Sequence, residues 1–134
     1  MGAELAVHNE QPAPDVPKHL SQFSDVDVAF FDLEIGAWVI FGRAVVANMD
    51  CDKQYVAAKI FAANIPAAPG DPFPPSVMID HVRIYADAGA EHCLTAQATL
   101  KSRQRKRISL ACASFMGYAT FGSLIAFKVD DITP

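Results

Sequence analysis

Cysteine is scarce in this chain: Cys51, Cys93 and Cys112 are the only three in 134 residues. Their odd number and wide spacing exclude a disulfide framework and the short ligand pairs of a structural zinc site. Also missing is any apolar run of the roughly 18 to 20 residues that a membrane-spanning helix needs. The most apolar stretch, Ala37 to Ala47, is interrupted by Arg43. The N-terminus has neither the positive start nor the apolar stretch of a secretory signal, so the expected address is cytoplasmic and no membrane partner is expected. Ala at position six also argues against myristoylation. The net charge of −4 gives no basic balance, which disfavours nucleic acid as a general partner. There is no Gly-x-Ser-x-Gly, Gly-x-Gly-x-x-Gly or phosphate-binding Gly-Lys-Ser/Thr loop, so no cofactor and no catalytic residue is assigned.

Apolar residues are plentiful, at 51% against 19% charged, enough for a buried core in one domain. Two proline-rich segments punctuate the chain: residues 12–17 (Pro12, Pro14, Pro17) and 66–75 (Pro66, Pro69, Pro72, Pro74, Pro75). Proline removes a backbone donor, so neither segment forms an interior strand. The division that follows is an extended N-terminal arm over 1–22 and a single β-sandwich domain over 23–134, with a long loop from Asn64 to Ser76.

Strands are expected near 26–33, 37–48, 54–63, 77–86, 92–100, 106–114 and 122–130, with a possible further strand in the arm. Along Leu94 to Leu100, apolar Leu94, Ala96, Ala98 and Leu100 alternate with polar Thr95, Gln97 and Thr99, which gives one dry face and one wet face. The next run alternates likewise, Ile108, Leu110 and Cys112 against Arg107, Ser109 and Ala111. A hairpin between them pairs Ala98 with Ile108, Ala96 with Leu110 and Leu94 with Cys112, with its turn at Lys101 to Arg105. That puts Cys112 in the core and Cys93 on the opposite face. Short strands at this spacing, without a helical period, make an all-β fold: a jelly-roll β-sandwich of about seven to ten antiparallel strands.

Residues 37–47 are apolar on both faces, Trp38, Ile40, Ala44 and Val46 against Val39, Phe41, Val45 and Ala47, and Leu124 to Val129 has the same character. A sandwich covers only one face of a strand, so the second face is read either as covered by the proline-rich arm or, as the leading expectation, as a subunit interface comprising Val39, Phe41, Arg43, Val45, Ile125 and Phe127.

The segments Leu33-Glu-Ile-Gly-Ala-Trp-Val-Ile-Phe41, Asn48-Met-Asp-Cys-Asp52, Ile79-Asp-His-Val82, Ser114-Phe-Met-Gly117 and Ser123-Leu-Ile-Ala126 follow one another in an order that resembles a group of bacterial uncharacterised proteins. Their pattern is similar to the C1q/tumour-necrosis-factor type of jelly roll. The resemblance spans roughly residues 26–132 and implies fold and trimeric self-association; it implies no active site.

Three further features compete for a binding role. Lys101, Arg103, Arg105, Lys106 and Arg107 place five cations in seven residues, and without them the rest of the chain carries −9. Such a run grips an anionic ligand or acidic glycan, or serves as a solvated turn that protects an edge. Phe73, between prolines, stacks on a sugar or pins its loop to the body. Asn48, Asp50 and Asp52 supply oxygen ligands for calcium, or form an ordinary Asn/Asp turn. A small enzyme using His81, His92 or Cys93 requires those side chains to converge, and a lectin-like carbohydrate-binding protein requires an exposed aromatic site. The leading expectation is a noncatalytic, self-assembling trimeric module.

Overall fold

The computed structural model describes residues 3–10 and 18–129. Among them there is no helix, and nine strands follow in order: β1 (Ala3–Glu10), β2 (Lys18–Ser21), β3 (Val26–Leu33), β4 (Gly36–Asn48), β5 (Gln54–Asn64), β6 (Val77–Ala86), β7 (Glu91–Ser102), β8 (Lys106–Ser114) and β9 (Met116–Val129). Within the expected arm, β1 and β2 pair one after the other along the edge of β9. Pro12, Pro14 and Pro17 lie outside the described residues.

One sheet runs β1-β9-β4-β7, with β2 also on β9, and the second runs β3-β8-β5-β6. Every pairing is antiparallel, and the pairs are nested: β5 with β6, β4 with β7, β3 with β8, and β2 with β9. The chain is thus one long double ribbon rolled on itself, which is the jelly-roll sandwich. The nesting corrects the expected hairpin. β7 pairs with β4, whereas β8 lies in the other sheet between β3 and β5, so Lys101 to Arg105 ends one strand and crosses between sheets. Ala98 faces Ile40 rather than Ile108, and Leu94 faces Ala44 rather than Cys112. The physical reason lies in β8 itself. Its second face carries Ala111 and Ala113, both buried, and both of its hydrogen-bonding edges are taken, one by β3 and the other by β5, so none is left for β7.

Side-chain parity places the core. Trp38, Ile40, Ala44 and Val46 of β4 point inward, against Val56, Ala58 and Ile60 of β5 and Ile108, Leu110 and Cys112 of β8. Each fully buried Leu or Ile contributes about 1.5–3 kcal/mol relative to exposure. Gly42, midway along β4, has no side chain because Leu110, Leu124 and Ile60 fill the space where its Cβ would stand. The indole N–H of Trp38 donates to the Glu34 carbonyl at 2.9 Å, so its polar edge is satisfied as the ring is buried. Cys112 lies in the core, where burial pushes its thiol pKa up to about 12, and Cys93 is exposed.

Candidate functional site

The basic run does not form one patch. Lys101 is exposed near the end of β7, and Arg103 is exposed in the crossover. Arg105 pairs with Glu34 at 3.2 Å, while its carbonyl accepts the Ile65 N–H. Lys106 is half-buried at the start of β8. Arg107 donates to both oxygens of Asp32, at 2.8 and 3.2 Å, and these bonds hold its guanidinium more firmly charged. The same guanidinium sits 5.1 Å from the Phe30 ring centroid and 4.6 Å from that of Phe73. Phe73 therefore ties the proline-rich loop to the outer face of the four-stranded sheet. Of the expected anion-binding residues, Phe73 and Arg107 meet each other.

Asn48 is fully buried, and its amide group holds two connections together. It donates to the carbonyls of Asp52, Ala86 and Asp87 at 3.0–3.2 Å, and its Oδ1 accepts the Asp50 N–H at 3.1 Å. Asp50, Cys51 and Asp52 offer ligand atoms within 4.8 Å of one another at the surface. The Asp50 carboxyl is held below the usual range chiefly by the Gln54 side chain, and the negative charge of Asp52 pushes the Cys51 thiol up. Asn48 is committed to the loop backbone beneath them. The candidate catalytic groups are dispersed. His81 stands on the outer face of the four-stranded sheet beside Lys59, Cys93 beside Val45 on the outer face of the other sheet, and His92 opposite inward-facing Val46.

On the outer face of the five-stranded sheet, adjacent central strands bring the expected interface residues together. Val39 pairs with Phe127 and Phe41 with Ile125; Val45 pairs with Phe121 and Arg43 with Ser123. Phe41 and Phe127 meet edge to face at 6.1 Å, and the Arg43 guanidinium lies 5.4 Å from the Phe121 ring centroid. Phe41 is 39% exposed.

The outer face of the four-stranded sheet carries a groove of about 440 Å³. Ala57 and Ala113 form its floor, and Phe23, Tyr55, Met78, Lys59, His81 and Arg83 form its walls. Tyr55 and Tyr85 lie 4.9 Å apart across the β5–β6 pair, and the Arg83 guanidinium stacks over Tyr55 at 4.5 Å. Lys59 is neutralised by Asp25 at 2.8 Å. At one end Phe23 packs against Phe115 at 5.8 Å.

Solved structures that share this fold include two of unlike origin. One is a chain of the infectious bursal disease virus Gx strain, with a TM-score of 0.58 and 11% identity, covering 99% of this chain and 34% of that one. The other is a Clostridium thermocellum endo-1,4-beta-D-xylanase 10B chain of CBM22-1 and GH10 modules, complexed with xylohexaose. It has a TM-score of 0.50 and 10% identity, and covers 95% of this chain and 27% of that one. This chain thus spans about a third or less of each, and at these identities the likeness concerns the fold alone. No protein-family model and no curated protein matches the sequence.

The sequence reading missed the groove because its residues come from β5, β6, β8 and the β2–β3 turn. One local signal was available in principle: a phenylalanine in a turn, preceded by Gln22. Both residues adopt left-handed backbone, φ 54° and 58°, which costs an L-residue roughly 1–2 kcal/mol. Their N–H groups donate to the carbonyls of Phe115 and Ser114, which holds the turn in place. Glycine at exposed position 22 relieves that strain at a smaller entropic cost, so Gln22→Gly is expected to stabilise by about 0.5–1 kcal/mol. Urea unfolding checks this; a lower midpoint would show that the turn carries no strain there.

Proposed function

We propose that the protein is a noncatalytic jelly-roll module that self-assembles as a trimer through the outer face of its five-stranded sheet. The observation that carries this reading is the apolar strip of Val39, Phe41, Val45, Phe121, Ile125 and Phe127 across the paired central strands β4 and β9. Arg43, the charge within the strip, lies over the Phe121 ring, which sets its charge against an aromatic face of the same strip. The similarity to C1q/tumour-necrosis-factor jelly rolls supports the trimer. The dispersal of His81, His92 and Cys93 over different sides of the sandwich supports the noncatalytic reading.

Light scattering on the full chain is expected to give three times the 14.5 kDa chain mass. Phe41→Glu places a carboxylate in each buried contact at a cost of several kcal/mol, and is expected to give monomers. Tyr85→Glu, on the opposite face, is expected to leave the mass unchanged. A monomeric wild type, or a Phe41→Glu variant of undiminished mass, removes the proposal.

A further inference from the structure

The groove on the four-stranded sheet lies on the side of the sandwich away from the proposed assembly face, so it stays open in the trimer. We propose that it binds an acidic oligosaccharide, with a sugar ring against Phe23 and a uronate carboxylate on Arg83.

The wall chemistry defines the ligand. Phe23 is 47% exposed and Met78 46% exposed, so apolar surface faces the groove at both residues. Donors from Lys59, His81 and Arg83 alternate with that surface over a floor of alanine methyl groups. A ligand that fits such a wall has apolar ring faces and polar edges in the same unit, which is the character of a pyranose. The volume lies within the range of small-molecule sites.

Charge selects among saccharides. Lys59 is already paired with Asp25, and Lys53, beside Tyr85, is paired with Asp87 at 3.3 Å. Among the described residues no carboxylate pairs with Arg83. Its guanidinium instead lies over the Tyr55 ring, 4.5 Å from the centroid, which holds it at the groove wall with its forked donors available to a ligand. That is a preorganised fork for one carboxylate. A nucleic acid needs a series of phosphate contacts, and a chain of net charge −4 with a single uncompensated groove arginine does not supply them. A neutral glycan leaves the fork unused.

The Gln22–Phe23 turn is a second, independent indication. Two consecutive non-glycine residues in left-handed backbone hold a large aromatic side chain at the groove mouth. Strain of this kind persists where the position of a side chain is needed.

The test uses the full chain, tetragalacturonate as the probe, and its methyl ester as the uncharged counterpart. Chemical-shift titration is expected to move resonances of Phe23, Tyr55, Arg83 and Ala113, with the ester bound about tenfold more weakly or worse. Arg83→Gln is expected to lose about tenfold in affinity for the acid, while Arg83→Lys, which keeps the charge without the fork, loses less. Phe23→Ser weakens acid and ester alike. Thermal unfolding of each variant confirms that it is folded, and Thr99→Ala, exposed on β7 of the other sheet, leaves affinity unchanged. No shifts at millimolar tetragalacturonate, equal affinity for acid and ester, or tighter binding of an oligonucleotide of equal charge each overturns the proposal. A monomeric protein that still binds the acid leaves this inference standing and removes the assembly reading instead.

Discussion

Alanine at position 48 is expected to cost about 3 kcal/mol of stability, close to the largest effect a single polar side chain exerts in a domain of this size. Asn48 is fully buried and serves the β4–β5 connection and the β6–β7 turn at once. Its amide hydrogens are shared among the Asp52, Ala86 and Asp87 carbonyls, and its Oδ1 takes the Asp50 N–H. Its backbone adds two more ties, donating to the Ala90 carbonyl at 2.9 Å and accepting the Gly89 N–H at 2.8 Å. Truncation leaves the backbone ties but strands the groups that the side chain satisfied, away from easy access by water. Asn48→Asp is the sharper variant: equal in size, it sets a carboxylate oxygen against three carbonyls and is expected to be at least as damaging. Equilibrium urea unfolding at fixed protein concentration measures both, since an assembling protein's midpoint depends on concentration. Calcium or a chelator is expected to leave the wild-type midpoint in place. A calcium-dependent rise that Asp50→Asn abolishes would reassign the turn as a cation site.

The same residue shows how far one-dimensional reading reaches. Asn48, Asp50 and Asp52 announce a turn in sequence. That the asparagine faces inward and closes a second turn some forty residues away depends on β4 lying beside β7. Parity is local, so Leu94, Ala96, Ile108, Leu110 and Cys112 could be placed on inner faces from alternation alone, and all are buried. Pairing is not local. In a rolled double ribbon the partner of β8 is β3, and the salt bridge that absorbs Arg107 comes from Asp32, 75 residues earlier. A dense basic run therefore read as one surface feature, while the fold takes two of its five cations, Arg105 and Arg107, to Glu34 and Asp32 at the end of β3. The doubled apolar character of β4 and β9 was legible for the opposite reason. A strand with two dry faces states its need for cover in its own residues, whichever strands become its neighbours.

Gly117→Ala is expected to lose about 3 kcal/mol or more, and its cause is space rather than backbone freedom. Gly117 sits in β9 opposite Asn48 of β4 and Leu20 of β2, so strands flank it on both sides. A Cβ there would stand 2.0 Å from the Ala47 carbonyl oxygen and 3.0 Å from Ser114 Oγ. The hydroxyl can turn away. The carbonyl cannot, because it belongs to the backbone of a central strand; relief requires β4 and β9 to separate where they hold the sheet together. Gly89 supplies the contrast. Its φ of 74° is left-handed, yet a Cβ there meets nothing within 4 Å, so Gly89→Ala carries conformational strain alone, about 1 kcal/mol. Urea unfolding of the two variants beside wild type separates the causes. A large loss at 117 with a small one at 89 fits a packing limit between β4 and β9. Equal small losses would mean that the two strands yield to a methyl group, and that the β4–β9 seam beneath the proposed assembly face is softer than its close approach implies.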